Sequence, residues 1–249
     1  MRVSRLYTSA LLAQDTPIEL DDDNGHYVRS VLRLKKDDAV ILFNGDGGDY
    51  ACRVDEVSRK TVRIAVGQRQ ERSVESPLLL SLGLGISRGD RMDISVQKAV
   101  ELGVQHITPL ITERCVVQFK GETKPQRWQH WQKIVQHAAE QSGRTVLPEL
   151  TAIEPIQSWV SSQQGLRVFL DPYAQTSLAE LRPIAMQVCL LTGPEGGFAD
   201  HERDIAKAAG FIPVRLGSRI LRTETASLAA LAAAQMLWGD FGMVGTTKP

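Results

Sequence analysis

Three arginines fall within eight residues at Arg215, Arg219 and Arg222, and no acidic residue follows until Glu224. Guanidinium groups grip phosphate bidentately and stack on bases. The stretch Arg215-Leu216-Gly217-Ser218-Arg219-Ile220-Leu221-Arg222-Thr223-Glu224-Thr225-Ala226 therefore has the chemistry of a nucleotide or anion site. A local reading is compatible with it: Thr223 can cap a helix, and Glu224 suits the positive end of its dipole. Upstream, Thr192-Gly193-Pro194-Glu195-Gly196-Gly197-Phe198 puts three glycines around a Pro-Glu pair. One glycine serves an ordinary strand-to-helix turn; three let the backbone pass close to a ligand and reach positive φ.

Other stretches are weaker. Gly83-Leu84-Gly85-Ile86-Ser87-Arg88-Gly89 is similar to a dinucleotide fingerprint, but its third glycine comes one position late and Arg88 stands in its place. It reads more simply as a loop before a helix. Lys98 and Glu101 are three apart, as in a solvated helix pair. Thr112-Glu113-Arg114 follows a strand, at the end where ligands bind in open α/β sheets. Glu140-Gln141-Ser142-Gly143-Arg144 closes a helix, and Arg144 suits its negative end. No Walker sequence, H-E-x-x-H pair or G-x-S-x-G elbow occurs. His130 and His137, seven apart, are not a metal pair, and no metal is expected.

These stretches need a scaffold that ends several strands at one place. From Leu78 the sequence alternates strands (78–82, 106–111, 168–170, 188–191, 212–216) with helices. The helices are capped by Asp90, opened by Pro125, capped again by Asp200, and closed by an Ala- and Leu-rich run from Thr225 to Trp238. Such alternation predicts a parallel sheet covered by helices. The first 70 or so residues read differently. A hairpin is predicted across Asn44-Gly45-Asp46-Gly47-Gly48, a strand at Val62–Val66, and one helix between Gly25 and Leu34, together a small barrel. Residues 71–76 read as a linker, giving domains of 1–72 and 76–245.

The chain of 249 residues has 29 Lys+Arg against 29 Asp+Glu and 43% hydrophobic residues, which excludes disorder. The most apolar stretch, Ala226 to Trp238, is too short to span a bilayer. Cys52, Cys115 and Cys189 form no C-x-x-C pair, and the N-terminus leads into no apolar signal region; both point to the cytoplasm. Zero net charge at first argues against nucleic acid. By region, however, residues 88–144 carry nine basic groups to six acidic. Three of the eight cations in residues 145–249 lie between 215 and 222. Local basic clusters cancel globally, so RNA is not excluded.

Gln97–Val104, Pro109–Arg114, Glu140–Arg144, Gly193–Phe198 and Leu216–Ala226 occur in an order and at separations that resemble the RsmE family of ribosomal RNA uridine-N3 methyltransferases, in the SPOUT class. His26–Arg33 resembles that family's PUA-like RNA-binding barrel. The resemblance implies an α/β domain with a C-terminal trefoil knot, a homodimer, and S-adenosylmethionine as cofactor. It implies small-subunit ribosomal RNA, within the subunit, as partner. Cofactor contacts would come from Leu170, Thr192, Gly193, Glu195, Gly196, Gly197, Leu216, Gly217, Ile220, Leu221, Thr223 and Ala226. Arg222 and Glu224 would act near the methyl group. Arg5, Arg29, Arg33, Arg114, Arg144 and Arg219 would hold RNA. Two other classes stay open: a non-catalytic RNA-binding or assembly factor, and a dinucleotide-dependent enzyme using Gly83–Gly89.

Overall fold

Two sheets organise the chain, seen in a computed structural model that describes residues 3–72, 74–116 and 123–242. They belong to two compact units that divide between Glu75 and Ser76, with Ala139–Leu147 belonging to the first unit.

The first unit is built on β1 (Ser4–Tyr7), β2 (Ile18–Glu19), α1 (Asp22–His26), β3 (Ala39–Phe43), β4 (Gly48–Val57), β5 (Val62–Ala65) and β6 (Arg69–Glu71). The strand order is β1-β3-β4-β5-β2, with β6 also on β4. The predicted hairpin is β3–β4, antiparallel, with Val40 opposite Cys52 and Leu42 opposite Tyr50. In β5, Val62 and Ile64 are buried while Arg63 and Ala65 face water, as period-2 alternation requires. Leu6, Val28, Val40, Leu42, Val54, Val62 and Ile64 form its core.

The helix expected between Gly25 and Leu34 starts earlier and changes pitch. Asp21 caps α1 by accepting from Asn24 N at 2.8 Å. The chain then widens into a π-type turn, Tyr27–Leu32, which stops at Arg33 in the left-handed region, φ 54°. The sequence reading omitted β1, β2 and β6, which are short and carry no long apolar run. Arg5 also works as a helix-end clamp: it donates to Ala139 O, Glu140 O and Arg144 O, closing residues 139–147 onto β1.

The second unit contains β7 (Leu79–Gly85), α2 (Asp90–Glu101), β8 (His106–Ile111), α3 (Thr123–Ser142, up to Ala138), β9 (Glu149–Leu150), β10 (Glu154–Pro155), α4 (Ile156–Ser162), β11 (Leu166–Leu170), β12 (Gln187–Thr192), α5 (Asp200–Ala208), β13 (Ile212–Val214) and α6 (Thr223–Trp238). The sheet is parallel, ordered β10-β8-β7-β12-β11-β13, with β9 on β8. Cys189 and Leu191 share a face with Trp159 of α4 and Phe211. Thr192, of opposite parity, meets Ser227 of α6 at 3.1 Å, so α4 and α6 cover opposite faces.

Two readings need correction. The glycine run Gly83–Gly89 is not a loop at its start, because β7 continues through Gly85. A Cβ at Gly83 would stand 2.4 Å from the Trp159 ring, and one at Gly85 would stand 2.6 Å from Pro194 N. These glycines admit close packing, and nothing at them cradles a dinucleotide phosphate. The helix caps also shift by one residue: Gly89, Ala199 and Arg222 precede the first helical turns, so Asp90, Asp200 and Thr223 lie inside the helices.

Candidate active site

β11, β12 and β13 are parallel neighbours, so the loops that follow them emerge at the same end of the sheet. The cavity they border measures about 530 Å³, within the ordinary range for a small-molecule site. The first loop contributes Leu170, Asp171, Pro172 and Tyr173, the second Thr192 to Phe198, and the third Val214 to Leu216 and Arg219 to Thr223. Ala226 of α6, Arg91 of α2, Arg114 beyond β8 and Arg203 of α5 complete the wall.

Glycine is required in the middle loop. Gly197 has φ +66°, which other residues rarely adopt, and a Cβ at Gly196 would come within 2.8 Å of Arg114 Cβ. Arg114 donates from Nη1 to Gly196 O at 3.2 Å, clasping the loop from outside. Glu195 clasps it from the other side: its Oε1 accepts from Arg88 N at 3.0 Å and Arg91 Nη1 at 3.1 Å. Burial opposes ionisation of Glu195, but the Arg88 backbone N–H and the Arg91 guanidinium outweigh it, holding the carboxyl below its usual range. Its other oxygen, Oε2, is buried without a hydrogen-bond partner.

Glu202, 1% exposed, ties the middle loop to the β8 loop. Its carboxylate accepts from Ala199 N at 2.9 Å, at the start of α5, and from Glu113 N at 2.8 Å. On the far wall Asp171 accepts from Tyr173 N at 2.9 Å and faces Arg203 at 3.8 Å.

Of the residues expected to hold a cofactor, Leu170, Thr192, Gly193, Glu195, Gly196, Gly197, Leu216, Ile220, Leu221, Thr223 and Ala226 all line this cavity. Gly217 lies just outside, with φ +71° in the third loop. Arg222 lines the cavity; Glu224, in the first turn of α6, does not, and its Oε2 is buried without a partner. Among the residues expected to hold RNA, Arg114 and Arg219 are exposed at this cavity.

Arg5, Arg29, Arg33 and Arg144 belong to the first unit. Arg5 is 8% exposed and paired with Asp49, and Arg144 is 5% exposed and paired with Glu75. Neither guanidinium is presented to an outside phosphate. Arg33 is exposed and Arg29 half-buried. The sequence reading singled out Arg215 with Arg219 and Arg222 but gave it no role, and it assigned none to Arg91, Asp171, Tyr173 or Arg203, all of which line the cavity. Arg91 and Arg203 stand in the first turns of α2 and α5, past the loops that follow β7 and β12, and not at the strand ends themselves.

Among the described residues no cluster of three or more His, Cys, Asp or Glu side chains is placed to hold a metal ion. No described helix is long and apolar enough to cross a membrane.

Comparison with known proteins fits this geometry. Residues 74–235 match the RNA methyltransferase domain, and residues 20–66 match the RNA methyltransferase PUA domain. The ribosomal RNA small subunit methyltransferase E of Buchnera aphidicola (subsp. Schizaphis graminum) is 38% identical over 96% of this chain and 98% of its own length. A Legionella pneumophila protein, solved in complex with the bound cofactor SAM, superposes with a TM-score of 0.92 at 36% identity, covering 97% of this chain and 100% of that one. A ribosomal RNA small subunit methyltransferase E from Neisseria gonorrhoeae, solved bound to S-adenosyl methionine, gives 0.89 at 36% identity over 96% of this chain and 100% of that one. The chain belongs to the RNA methyltransferase family, among relatives named ribosomal RNA small subunit methyltransferase E.

Proposed function

We propose that this protein is an S-adenosylmethionine-dependent methyltransferase that modifies N3 of a uridine in small-subunit ribosomal RNA. The observation that carries the reading is the convergence of three strand-end loops, glycine-rich in the middle and arginine-rich in the last, on one cavity.

The wall fits the cofactor's chemistry. Leu170, Leu216, Ile220 and Leu221 offer apolar surface for a base, and Gly193, Gly196 and Gly197 with Gly217 beside them allow close backbone approach. Thr192, Thr223 and Ala226 close the inner end, while Glu195 and Asp171 supply negative charge suited to a cationic centre. S-adenosylmethionine, when bound, supplies a methyl group on an electrophilic sulfonium.

Uracil N3 carries a proton at neutral pH, so as the methyl group bonds to N3 that proton passes to solvent water, and the ring's negative charge must be stabilised. Arg222 is assigned to uracil O2 or O4, where its guanidinium stabilises the developing anion. Glu224, whose carboxylate is half withdrawn from water, is assigned as a positioning residue at the start of α6. Arg219 and Arg114 hold the RNA strand at the rim, and Arg29 and Arg33 of the first unit contact it elsewhere. Because N3 lies on the Watson–Crick edge, the uridine must leave its stack.

Four further assignments go with this reading. The first unit is a PUA-like barrel, in keeping with the match over 20–66. The three loops form a trefoil knot, supported by a chain path that leaves edge strand β13 and returns across the sheet end to place α6 on β12. The enzyme is a homodimer, supported by exposed Met236, Leu237 and Phe241 at the end of α6. It works on the subunit in the cytoplasm, where that RNA resides.

The test is transfer of labelled methyl groups to small subunits from a strain lacking the modification, followed by mass-spectrometric mapping. Transfer to a uridine N3 is expected. Absence of transfer to both the subunit and its naked RNA overturns the proposal.

A further inference from the structure

Tyr173 stands on the cavity wall with 71% of its surface exposed. A large aromatic ring left this open at the mouth of a site calls for a physical reason, because burial would remove apolar surface from water. The local structure holds the ring where it is. Asp171, only 9% exposed, accepts from Tyr173 N at 2.9 Å and fixes the backbone in a tight turn. Its other oxygen faces Arg203 Nη1 at 3.8 Å. The Arg203 guanidinium in turn lies 5.9 Å from the Tyr173 ring centroid, at the outer range of a cation–π contact. Asp171 therefore sets the backbone that carries the ring and pairs with the cation beside it. The inner wall differs, being made of buried Thr192, Phe198, Val214 and Thr223.

A flipped-out base is held by stacking between aromatic and apolar side chains and by hydrogen bonds to its edge. An exposed tyrosine on the cavity wall, its backbone held by Asp171 and the Arg203 cation beside its ring, offers one such face. We infer that Tyr173, supported by Asp171 and Arg203, is the stacking platform for the uracil that enters from RNA. This rests on the function proposed above and assigns the substrate base to the loop after β11. The cofactor also carries a base, and stacking alone does not distinguish the two. Exposure at the mouth, away from the buried inner wall, favours the RNA base.

The test compares Tyr173→Ala and Tyr173→Phe with wild type in two measurements. The first is steady-state methyl transfer to unmodified small subunits; the second is S-adenosylmethionine affinity by calorimetry. Loss of one base–aromatic stack corresponds to about a ten- to hundredfold change. Tyr173→Ala is expected to lower kcat/KM for the subunit by that factor, with cofactor affinity within twofold of wild type; Tyr173→Phe is expected to restore kcat/KM to near the wild-type value. Equal losses of cofactor affinity and kcat/KM in Tyr173→Ala would assign the platform to the cofactor and overturn the inference. So would unchanged kcat/KM. A wild-type protein that transfers no methyl group removes the parent reading, and this inference with it.

Discussion

In the first unit, Arg5 and Arg144 are almost withdrawn from water and direct their donors to Asp49, Glu75 and the carbonyls at a helix end. Around the cavity of the second unit, Arg215, Arg219 and Arg222 remain exposed, while Arg91 and Arg114, also exposed, each spend a donor on the middle loop. The residue type is the same and the physical situation is opposite. A buried guanidinium persists only with a carboxylate and acceptors to replace its hydration. An exposed one at a cavity rim keeps its donors available for phosphate or a base oxygen. Arginine count therefore says little about RNA binding until burial is known.

The comparison is tested most severely at Asp49. Asp49→Ala leaves Arg5 buried without its carboxylate and is expected to cost about 3–5 kcal/mol in denaturant unfolding, with cofactor affinity at the second unit unchanged. An unchanged midpoint would mean that Arg5 is not structural.

Arg222→Ala should behave in the reverse manner. It is expected to lower kcat by about 10²–10³, or roughly 2.7–4 kcal/mol of transition-state stabilisation, while thermal stability moves by less than about 0.5 kcal/mol. Full turnover would remove Arg222 from the chemistry.

Gly85→Ala probes how the sheet shapes the cavity. Its Cβ would meet Pro194 N at 2.6 Å, so the middle loop must shift. A loss of about 1–3 kcal/mol is expected, together with weaker S-adenosylmethionine binding by calorimetry. Wild-type affinity would show that the loop position is not set by β7.

Arg219→Ala is a smaller perturbation. RNA affinity should fall for all sequences, and the slope of log K against log salt should decrease by about one. An unchanged slope would place Arg219 away from phosphate.

Glu195 gives the smallest effect, and it depends on pH. Its folded carboxyl lies below the ordinary value of 4.5 because the Arg88 N–H and Arg91 outweigh burial. A depressed acid contributes stability that is fully present above its unfolded value and is lost as pH falls through the folded one. The Tm difference between wild type and Glu195→Gln should therefore be constant near neutrality and shrink in acid below 4.5. A difference that grows in acid would refute the assigned clasp.

The site was more legible in the sequence than its scaffold. Gly193–Phe198 and Arg215–Ala226 stood out because glycine and arginine were concentrated just after apolar runs, and strand ends are where parallel sheets bind ligands. Gly83 and Gly85 were misread because their reason lies in Trp159 and Pro194, which are distant in sequence. The caps shifted by one residue because Arg222 and Ala199 are not residue types that mark a helix start. Arg5 looked like an RNA contact because nothing in Met1–Tyr7 announces a partner at Asp49. Asp171-Pro172-Tyr173 is a short irregular string, and the brace within it depends on Arg203, which arrives from α5.

The clamp formed by Arg5 also bears on how the chain is made. Its carbonyl partners lie 134 to 139 residues downstream, and the structure groups residues 139–147 with the N-terminal unit. At synthesis rates of about 5–20 residues per second, roughly 7 to 28 seconds pass between Arg5 and its last carbonyl partner. Once Asp49 has followed, 44 residues on, Arg5 has its carboxylate but no helix end to close on. The first unit, although most of it precedes the second in the chain, is completed only when the end of α3 has followed it.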